Sequence, residues 1–576
     1  MMFVDYEEAS ISSWQAFERL VKRVLLVAGY KDARIVGQSG DKGADIIAHN
    51  YGKRWLIQVK CWGVKVGNKV IERTIEAAAT YNAQVMVIVS LNGFEESAKA
   101  QQIKMKARGI NLQLWDVPQL KIIASKAKRE YPNVYEPRSY QEEAIKEIDY
   151  AFFSGKKQAM IVLATGLGKT FVAGEASRRI MANSRKRFLV LAHTNELVYQ
   201  LEREFWKFMS VNERSIVWNG KEKPNERQME TYEYVFACID SVYNYIDNGK
   251  VLPEFDIVIC DECHHCGMKM YTSLFEYMEC GSMNGPFLLG MTATPWRSDE
   301  VELEQFFGKP LTTIDMVYGM KHGYLANVDY RIYTDNIDWD GLKRLSGDKF
   351  SPKQINRTLF INQWDDSVVE ELQRTWKEQY NPRAIVFCGT IEHADTMKRK
   401  LNQLGFCNAA ALYSGNDKGF AMTQFERNKV LSNFSDGKIN VLCVVDVFNE
   451  GIDVPDVNII VFQRVTHSRR IFIQQLGRGL RLADDKEKVI VLDFVSDIRR
   501  FAAGIELKDE LSAPINETVR INLPCNNKVS FRKVLGEDEG TESFLREWLE
   551  DIARIESLGE NDVALRFPPT QIYSGR

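Results

Sequence analysis

A glycine-rich segment at residues 164–170, Ala-Thr-Gly-Leu-Gly-Lys-Thr, follows a predicted apolar strand at residues 158–164. Glycines let backbone N–H groups approach a phosphate, and a helix that begins there adds favourable partial charge. Lys169 is expected to reach the β and γ phosphates of a nucleotide, and Thr170 to ligate Mg²⁺. The predicted loop is completed by Thr165, Gly166 and Gly168. Because Leu163 stands where the general pattern has glycine, the segment alone is also compatible with an ordinary glycine-rich turn.

An acidic pair comes directly after a second apolar run, Ile257–Cys260, which is typical of a buried strand. Ligands of open parallel sheets bind beyond the carboxyl ends of the strands. We therefore expect Asp261 to hold Mg²⁺ through water and Glu262 to orient or deprotonate an attacking water. The alternative is a zinc site, although no second ligand pair at zinc spacing is evident. Its candidate ligands would be Cys260, Cys263, Cys266, His264 and His265.

A third set of chemically capable residues lies near the N-terminus. Asp45 is followed, thirteen residues later, by Gln58-Val59-Lys60. Gln58 and Lys60 are two apart on a predicted strand, so their side chains share one face. A metal-dependent nuclease needs a ligand set for the metal and a lysine beside the attacking water, whose pKa the metal lowers. Asp45 and Gln58 are the predicted metal ligands, Lys60 is the predicted lysine, and Glu18 on a predicted helix completes the shell.

Residues 1–125 have the pattern of a small α/β unit that would position this third set. Apolar residues at helical spacing predict a first helix, namely Trp14, Phe17, Val21, Val24 and Leu25. Two strands around a short turn predict a hairpin that places Asp45 beside Lys60. These segments are Ala44–Ala48, Asn50–Gly52 and Trp55–Lys60. A helix over about Val70–Tyr81 and an apolar strand at Val85–Ser90 follow.

Two arrays of alternating strands and helices follow a basic, polar stretch from Lys121 to Pro137, which is typical of a linker. The arrays run from about residue 138 to 308 and from about residue 328 to 495, and each predicts a parallel-sheet domain. The predicted strands of the arrays include those that begin at residues 158, 188, 257, 287, 384, 441, 459 and 489. Residues 340–380 are helical and polar in pattern, and one amphipathic helix is predicted near residues 544–555.

The motifs of the two arrays resemble those of superfamily 2 helicases, in the order that this family has them. Asp261-Glu262-Cys263-His264 resembles the Asp-Glu-x-His box, and Gln141, expected just before the first helix, resembles the glutamine that reads adenine. Further segments resemble the motif that contacts the nucleic-acid strand, the motif that links ATP state to nucleic-acid grip, and the first motif of the second motor domain. They are His193–Leu197, Thr292–Pro295, and Val386–Cys388 with Thr390.

The last two helicase motifs resemble residues 449–453, which contain Gly451 and Asp453, and residues 474–481, which contain Gln474, Arg478 and Arg481. The resemblance implies that Arg478 and Arg481 stabilise the charge that builds on the γ-phosphate during its transfer. ATP would then close a cleft between two domains, and hydrolysis would reopen it. The form Asp-Glu-Cys-His-His, with Thr-Ala-Thr-Pro-x-Arg, is closest to the branch of restriction-enzyme motor subunits and duplex-tracking translocases. Members of that branch usually move along duplex.

The N-terminal unit resembles the PD-(D/E)xK nuclease fold, in particular the Mrr-like restriction endonucleases, from Phe17 through Asp45 and Lys60 to Ser90. The usual acidic residue of the second motif is Gln58 here, as in many Mrr-like members, but glutamine is a neutral and weaker Mg²⁺ ligand. The open interpretations are an active nuclease, a retained DNA-gripping domain and an ordinary hairpin with solvated charges.

The predicted fold class is α/β, with a restriction-endonuclease-like domain, two RecA-like parallel-sheet motor domains and a helical C-terminal element. The predicted domains are 1–125 (nuclease), 126–137 (linker), 138–309 (ATP-binding motor domain), 310–380 (connector and helical insertion), 381–500 (second motor domain) and 501–576 (C-terminal helical element).

The whole sequence bounds the function further. Its formal net charge of −3 argues against a surface coated in basic residues, although local clefts decide nucleic-acid binding. Ten scattered cysteines, no apolar run of about 18 residues and a start unlike a secretory signal predict a cytoplasmic protein with reduced thiols.

We therefore predict an ATP-dependent DNA translocase or helicase coupled to a metal-dependent endonuclease, with ATP and Mg²⁺ as cofactors and double-stranded DNA as partner. Such fusions resemble restriction or anti-phage defence proteins, which implies a prokaryotic host and a partner protein or a homo-oligomer. One alternative is an RNA or RNA–DNA hybrid remodeller, because the motor motifs contact mainly backbone. The other is an ATP-driven DNA-binding sensor whose nuclease-like domain grips without cutting.

Overall fold

Three β-sheets organise the computed structural model. It describes residues 3–4, 6–11, 13–36, 44–126, 136–293, 300–314, 318–319, 322–335, 361–388, 390–413, 422–445, 457–463, 488–494 and 531–535. The chain forms two compact units. The first unit holds a five-stranded sheet and nearly all of a seven-stranded sheet, and the second unit holds another seven-stranded sheet. We call these parts the N-terminal, central and C-terminal sheet domains.

The N-terminal sheet domain is a mixed sheet flanked by helices. Its elements are α1 (Tyr6–Ile11), α2 (Trp14–Val27), β1 (Lys31–Ile35), β2 (Ile46–Asn50), β3 (Lys53–Lys60), α3 (Asn68–Tyr81), β4 (Val85–Ser90), α4 (Glu96–Ala107), β5 (Leu112–Asp116) and α5 (Val117–Ser125). The strand order is β1-β2-β3-β4-β5, antiparallel from β1 to β3 and parallel from β3 to β5.

The predicted hairpin is present. In β2 and β3, Ile46 pairs with Ile57 and Asn50 with Lys53. The two residues between the strands, Tyr51 and Gly52, both have positive φ angles, of 49° and 68°, as a type I′ turn requires. Because this turn sets the register, it also sets which residues of β2 and β3 lie opposite each other.

Helix α2 packs most of its predicted apolar face against the N-terminal sheet, but Trp14, in the first turn, is 48% exposed. Phe17, Val21, Val24 and Leu25 are buried in one core with strand residues such as Ile46 and Ile57. The Ser13 side chain caps the helix by accepting from the backbone N–H of Ala16.

Two expectations about this domain need correction. The basic, polar stretch from Lys121 to Pro137 is typical of a linker, but its first five residues belong to α5, which Asp116 caps by accepting from the N–H of Gln119. The polar strand β1 was not predicted. Its Lys-Asp-Ala-Arg-Ile sequence suits an exposed edge strand, which carries no long apolar run for a pattern to detect.

The central sheet domain alternates strands and helices as expected. Its elements are α6 (Ser139–Phe153), β6 (Gln158–Leu163), α7 (Lys169–Asn183), β7 (Phe188–Ala192), α8 (Asn195–Phe205), β8 (Ser215–Trp218), α9 (Glu226–Thr231), β9 (Tyr234–Cys238), α10 (Ile239–Asp247), β10 (Ile257–Asp261), α11 (Lys269–Tyr277), β11 (Phe287–Thr292), α12 (Glu300–Phe307) and β12 (Pro310–Ile314). The strand order is β12-β6-β11-β10-β7-β9-β8.

The four central strands β6, β11, β10 and β7 are neighbours and run parallel. Their carboxyl ends therefore meet at one edge of the sheet. The glycine-rich loop, Glu262 and Thr194 lie beyond the ends of β6, β10 and β7, and Asp261 and Thr292 are the last residues of β10 and β11. This topology brings together four motifs that lie far apart in the sequence.

The C-terminal sheet domain contains β13 (Asn327–Asp335), α13 (Ile361–Trp376), β14 (Ala384–Phe387), α14 (Ile391–Leu404), β15 (Ala409–Tyr413), α15 (Gln424–Ser435), β16 (Val441–Val445), β17 (Ile459–Phe462), β18 (Lys488–Phe494) and β19 (Phe531–Leu535). Its strand order is β15-β16-β14-β17-β18-β13-β19. Strand β19, which was not predicted, pairs antiparallel with β13.

The helix predicted near residues 544–555 lies outside the described residues. No helix in the described ranges is long and apolar enough to cross a membrane.

Candidate nucleotide and nuclease sites

The glycine-rich loop joins β6 to α7 at the edge of the central sheet. Gly166 and Gly168 have φ angles of +91° and +86°, a left-handed conformation that glycine adopts at little cost. A Cβ atom at Gly168 would lie 2.7 Å from Nε2 of Gln141. Gln141 thus packs directly against the loop, and it lies within the first turn of α6 rather than before the helix as expected.

Lys169 and Glu262 form the centre of the candidate nucleotide site. Lys169 Nζ donates to Glu262 Oε1 at 2.8 Å, and both side chains are largely buried. Glu262 has a φ angle of +48°, a strained conformation for a residue with a side chain. The end of β10 therefore aims the Glu262 carboxylate at the start of α7.

Asp261 is suited to a divalent cation. Burial, and next the nearby Glu262 carboxylate, raise the pKa of Asp261 to about 7, against the lowering effect of Lys169. Its Oδ1 atom is buried and has no hydrogen-bond partner among the described residues. A bound cation would give this oxygen a partner and favour the ionised carboxylate. The donor set thus fits the predicted metal.

His264 connects the acidic pair to the neighbouring strand. Its Nδ1 lies 3.3 Å from Glu262 Oε2 and 3.1 Å from Thr292 Oγ1, at the end of β11. The predicted motif at Thr292 therefore contacts the predicted Asp-Glu-x-His box through one imidazole.

The thiols near the acidic pair do not have the surroundings of a zinc site. Cys260, Cys263 and Cys266 lie in the hydrophobic core of the central sheet domain. Burial raises the pKa of Cys263 and of Cys266 well above the ordinary value for a thiol, which disfavours the thiolate that zinc binds. In the described ranges no three His, Cys, Asp or Glu side chains are grouped to hold a metal.

In the C-terminal sheet domain, Val386 and Phe387 end β14, and Thr390 caps α14 by accepting from the N–H of His393. Five predicted residues of the nucleotide site lie outside the described residues, so their roles stay predictions. They are Gly451, Asp453, Gln474, Arg478 and Arg481.

Asp45 and Lys60 come together at the hairpin, and Glu18 of α2 lies within electrostatic range of both. Asp45 Oδ2 accepts from the N–H of Val59 at 2.6 Å and lies 3.8 Å from Lys60 Nζ. Burial raises the pKa of Asp45, which Lys60 and the Val59 N–H oppose. Glu18 on α2 is buried, and burial followed by the Asp45 carboxylate raises its pKa to about 8. Two carboxylates beside one lysine are a suitable partial shell for a divalent cation.

Gln58 is oriented differently from the other three. It is 2% exposed, and its Oε1 accepts from Thr74 Oγ1 on α3 at 2.5 Å. Its oxygen is therefore engaged by a helix, whereas a metal ligand would present it to Glu18 and Asp45.

Arg19 is a residue whose importance the sequence analysis missed. It follows Glu18 on α2, is buried, and forms ion pairs with Glu202 and Glu222 of the central sheet domain. These partners are 183 and 203 residues away. By helical spacing Arg19 falls on the face of α2 opposite Phe17 and Val21, where a charged residue is ordinarily exposed to solvent, so no signal in the sequence indicated its burial.

Comparison with known proteins assigns these domains. The model of a restriction endonuclease family matches residues 10–123. The family "Type III restriction enzyme, res subunit" matches residues 134–297, and the helicase conserved C-terminal domain matches residues 366–483. The three matches follow the order of the three sheet domains.

Two relatives match about two thirds of this chain. The EcoAI endonuclease subunit of a type I restriction enzyme from Escherichia coli is 26% identical, over 64% of this chain and 47% of that protein. The DNA 3'-5' translocase XPB2 of Sulfurisphaera tokodaii is 25% identical, over 62% of this chain and 81% of that protein. The chain thus spans about half the length of the first of these relatives.

A solved structure supports the fold. The ATP-dependent type ISP restriction-modification enzyme LlaBIII, bound to DNA, superposes with a TM-score of 0.50 at 16% identity, covering 87% of this chain and 40% of that one. The predicted α/β fold class is confirmed. The chain therefore joins an N-terminal Mrr-type restriction endonuclease domain to the two domains of a superfamily 2 helicase, and it is homologous to the endonuclease subunits of type I restriction enzymes.

Proposed function

We propose that this chain is an ATP-driven translocase on double-stranded DNA whose N-terminal domain cuts DNA in a metal-dependent reaction, in restriction or anti-phage defence. The observation that carries the cutting activity is the approach of Lys60 Nζ to Asp45 Oδ2, at 3.8 Å, with the buried Glu18 carboxylate within electrostatic range of both. The Lys169–Glu262 pair at the carboxyl end of the central sheet supports ATP hydrolysis.

ATP and Mg²⁺ are the proposed ligands of the central site. Thr165, Gly166, Gly168 and Lys169 would hold the phosphates, and Thr170 and Asp261 would hold the cation, which neutralises phosphate charge. Glu262 would take or orient the proton of the attacking water once a phosphate replaces it as the partner of Lys169. Gln141 packs against the loop and would face the base.

The remaining proposed residues come from the second motor domain. Gly451, Asp453 and Gln474 would complete the nucleotide site. Arg478 and Arg481 would stabilise the charge on the γ-phosphate.

In the nuclease site, Glu18 and Asp45 would hold Mg²⁺, which polarises the scissile phosphate and lowers the pKa of water. Lys60 would sit beside the attacking water and favour its deprotonated form. The backbone N–H of Val59 and the Lys60 ammonium fix the orientation of the Asp45 carboxylate. Gln58 would act as a ligand only if its amide turned away from Thr74.

The direct test uses purified protein with plasmid and linear duplex DNA, with Mg²⁺, and with and without ATP. We expect Lys60→Ala to lose cleavage while DNA-stimulated ATP hydrolysis continues, because its ammonium lies outside the nucleotide site. Lys169→Ala should lose ATP hydrolysis and any cleavage that depends on ATP. Cleavage by Lys60→Ala at the wild-type rate would contradict the assigned site.

One observation favours a second candidate, a DNA-binding sensor that grips without cutting. Gln58 is neutral, and Thr74 engages its oxygen, so the site contains two carboxylates where many nucleases of this fold have more. This candidate predicts DNA-stimulated ATP hydrolysis without cleavage in Mg²⁺ or Mn²⁺. Gln58→Glu, which restores the usual acidic residue, would then be expected to introduce cleavage.

A cytoplasmic, prokaryotic setting and a partner protein or second copy of the chain are part of the proposal. A phage-plating assay tests the defence role. Unchanged plating efficiency after deletion of the gene, across phages that the host normally restricts, would count against it.

A further inference from the structure

Helix α2 connects the nuclease domain to the first motor domain through a buried ion-pair network. Arg19 donates from Nε to Glu202 Oε2 at 2.6 Å and from its terminal nitrogens to both carboxylate oxygens of Glu222. All three side chains are 5% exposed or less. Charged side chains are seldom buried this deeply unless they are paired.

The acceptors of this network are fully used. Glu202 Oε1 accepts from Ser215 at 2.8 Å, and Glu222 accepts from the Tyr199 hydroxyl at 2.9 Å and from Ser13 at 2.7 Å. Each carboxylate oxygen therefore has a donor. A network in which every member is satisfied defines one relative position of its elements, since any shift would leave a buried charge without a partner.

A second set of contacts holds the same helix one turn further along. Arg23 is buried, and its Nη2 donates to the carbonyl of Ser210 at 2.9 Å. Its guanidinium also lies over the ring of Phe3, whose backbone N–H donates to the carbonyl of Val211 at 2.9 Å. The contact is thus an interface several residues wide, with Arg19 at its most charged point.

The held helix carries a nuclease residue between its two anchored positions. Ser13, the N-cap of α2, and Arg19 both bind Glu222, and Glu18 lies between them. Adjacent residues of a helix move together, because the helix rises only about 1.5 Å per residue. The position of Glu18 relative to Asp45 therefore depends on contacts that the motor domain makes.

On the motor domain, the interface includes a helix that starts at a predicted helicase motif. Tyr199 and Glu202 lie on α8, whose N-cap is Thr194. Thr194 belongs to the segment that resembles the strand-contacting motif of superfamily 2 helicases. One helix therefore extends from a candidate nucleic-acid contact to the partners of Arg19.

We propose that Arg19, Glu202 and Glu222 are positioning residues through which the first motor domain holds Glu18 in the geometry that the nuclease site needs. This inference rests on the proposed nuclease function and adds its regulation: the metal site is complete only when α2 is docked on the motor domain. The cutting reaction is thereby tied to the domain that hydrolyses ATP and contacts DNA.

The test compares full-length variants in the absence of nucleotide, with Mn²⁺ as the probe and its unbound fraction measured by electron paramagnetic resonance. Asp45→Asn defines the binding that does not belong to the nuclease site. Arg19→Met removes the network, and Arg19→Met/Glu202→Gln/Glu222→Gln removes it without leaving unpaired buried carboxylates. Arg19→Lys keeps the charge, and Arg73→Met, on an exposed arginine of α3, is the matched control.

We expect both network variants to weaken the Asp45-dependent Mn²⁺ affinity by about tenfold or more, as loss of groups that orient metal ligands does. Cleavage should fall in parallel, while DNA-stimulated ATP hydrolysis changes by less than about twofold. Arg19→Lys should recover part of the affinity, and Arg73→Met should behave as wild type. Amide hydrogen exchange in α2 should accelerate in the network variants only.

Three outcomes would overturn the proposal. Asp45-dependent Mn²⁺ binding that is the same in the network variants and in Arg73→Met would overturn the positioning role alone. An equal loss of ATP hydrolysis and metal binding in both network variants would show a general structural role. Equal Mn²⁺ binding by wild type and Asp45→Asn, without cleavage, would overturn the proposed nuclease function as well.

Discussion

At the scale of single residues, the two sites use buried charges in opposite ways. Lys169 and Glu262 neutralise each other directly at 2.8 Å, and a phosphate would exchange for the carboxylate. Asp45 and Glu18 are instead two carboxylates with one lysine nearby, and their raised pKa values reflect burial first. This excess of buried acid is what a divalent cation would stabilise.

Glu262 provides a prediction for the nucleotide site. Glu262→Gln should lower the rate constant of ATP hydrolysis by about 10²–10⁴-fold, the usual contribution of a positioned general base. Nucleotide affinity should be retained, since Lys169 keeps its position. Phosphate release and binding of a fluorescent nucleotide measure the two effects. Glu254→Gln, at an exposed position before β10, is the control, and hydrolysis above a tenth of the wild-type rate would reject the assigned role.

At the scale of elements, the sites depend on where strands and helices end. The segments after β6, β7, β10 and β11 meet because these strands are parallel neighbours. Helices that pack closely on the face of the sheet hold these strands in place. In β11, an added Cβ at Gly290 would lie 2.6 Å from the ring of Phe307, which is buried on α12.

The packing of β11 predicts a stability effect. Gly290→Ala should destabilise the central sheet domain by about 1–3 kcal/mol, because overpacking forces a buried ring or the backbone to move. Chemical denaturation followed by tryptophan fluorescence would measure the shift. Gly63→Ala has an ordinary φ angle and open space around its Cβ, so it should leave the curve unchanged. A shift of equal size in both variants would refute the packing argument.

The cap of α5 predicts a local effect at the end of the nuclease domain. Asp116 accepts from the N–H of Gln119 at 2.9 Å, so Asp116→Ala should cost about 1 kcal/mol of helix stability. Amide hydrogen exchange within α5 should accelerate by about fivefold in consequence. Asp116→Asn retains a capping oxygen and should exchange as the wild type does; faster exchange in both variants would point to loss of charge instead.

At the scale of the whole molecule, three sheet domains in one chain place a nuclease-type fold beside a motor-type fold. The interface around Arg19 lies within the first compact unit. With a formal net charge of −3, the proposed binding to DNA would come from local surfaces, and salt should weaken it as counterion release predicts.

The nucleic acid that stimulates the motor is a prediction at this scale. Duplex DNA should stimulate ATP hydrolysis more than duplex RNA of the same sequence, and an RNA–DNA hybrid should fall below duplex DNA. The three duplexes differ in the 2′-hydroxyl and in the helical form that this group imposes. Titrations of the three duplexes at constant salt measure this preference. Stronger stimulation by RNA or the hybrid would favour the remodelling alternative over the DNA translocase.

Much of the fold and of the nucleotide site could be predicted from sequence, because their signals are local. An apolar run followed by glycines and Lys169, or by Asp261 and Glu262, identifies both the strand end and the chemistry beyond it. The hairpin was predictable for the same reason, since its turn and both strands lie within fifteen residues. Strands such as β1 and β19 were missed because their polar or isolated sequences have no such local pattern.

The sequence by itself determined the α/β class, the order of the domains and the residues that can do chemistry. Tertiary structure decided which of those residues meet. It turned Gln58 toward Thr74 and placed Glu18 within electrostatic range of Asp45. It also paired Arg19 with carboxylates about 200 residues away. Such contacts depend on how helices pack on sheets and on how domains pack on each other. Residue spacing along the chain does not encode contacts between residues so far apart in sequence.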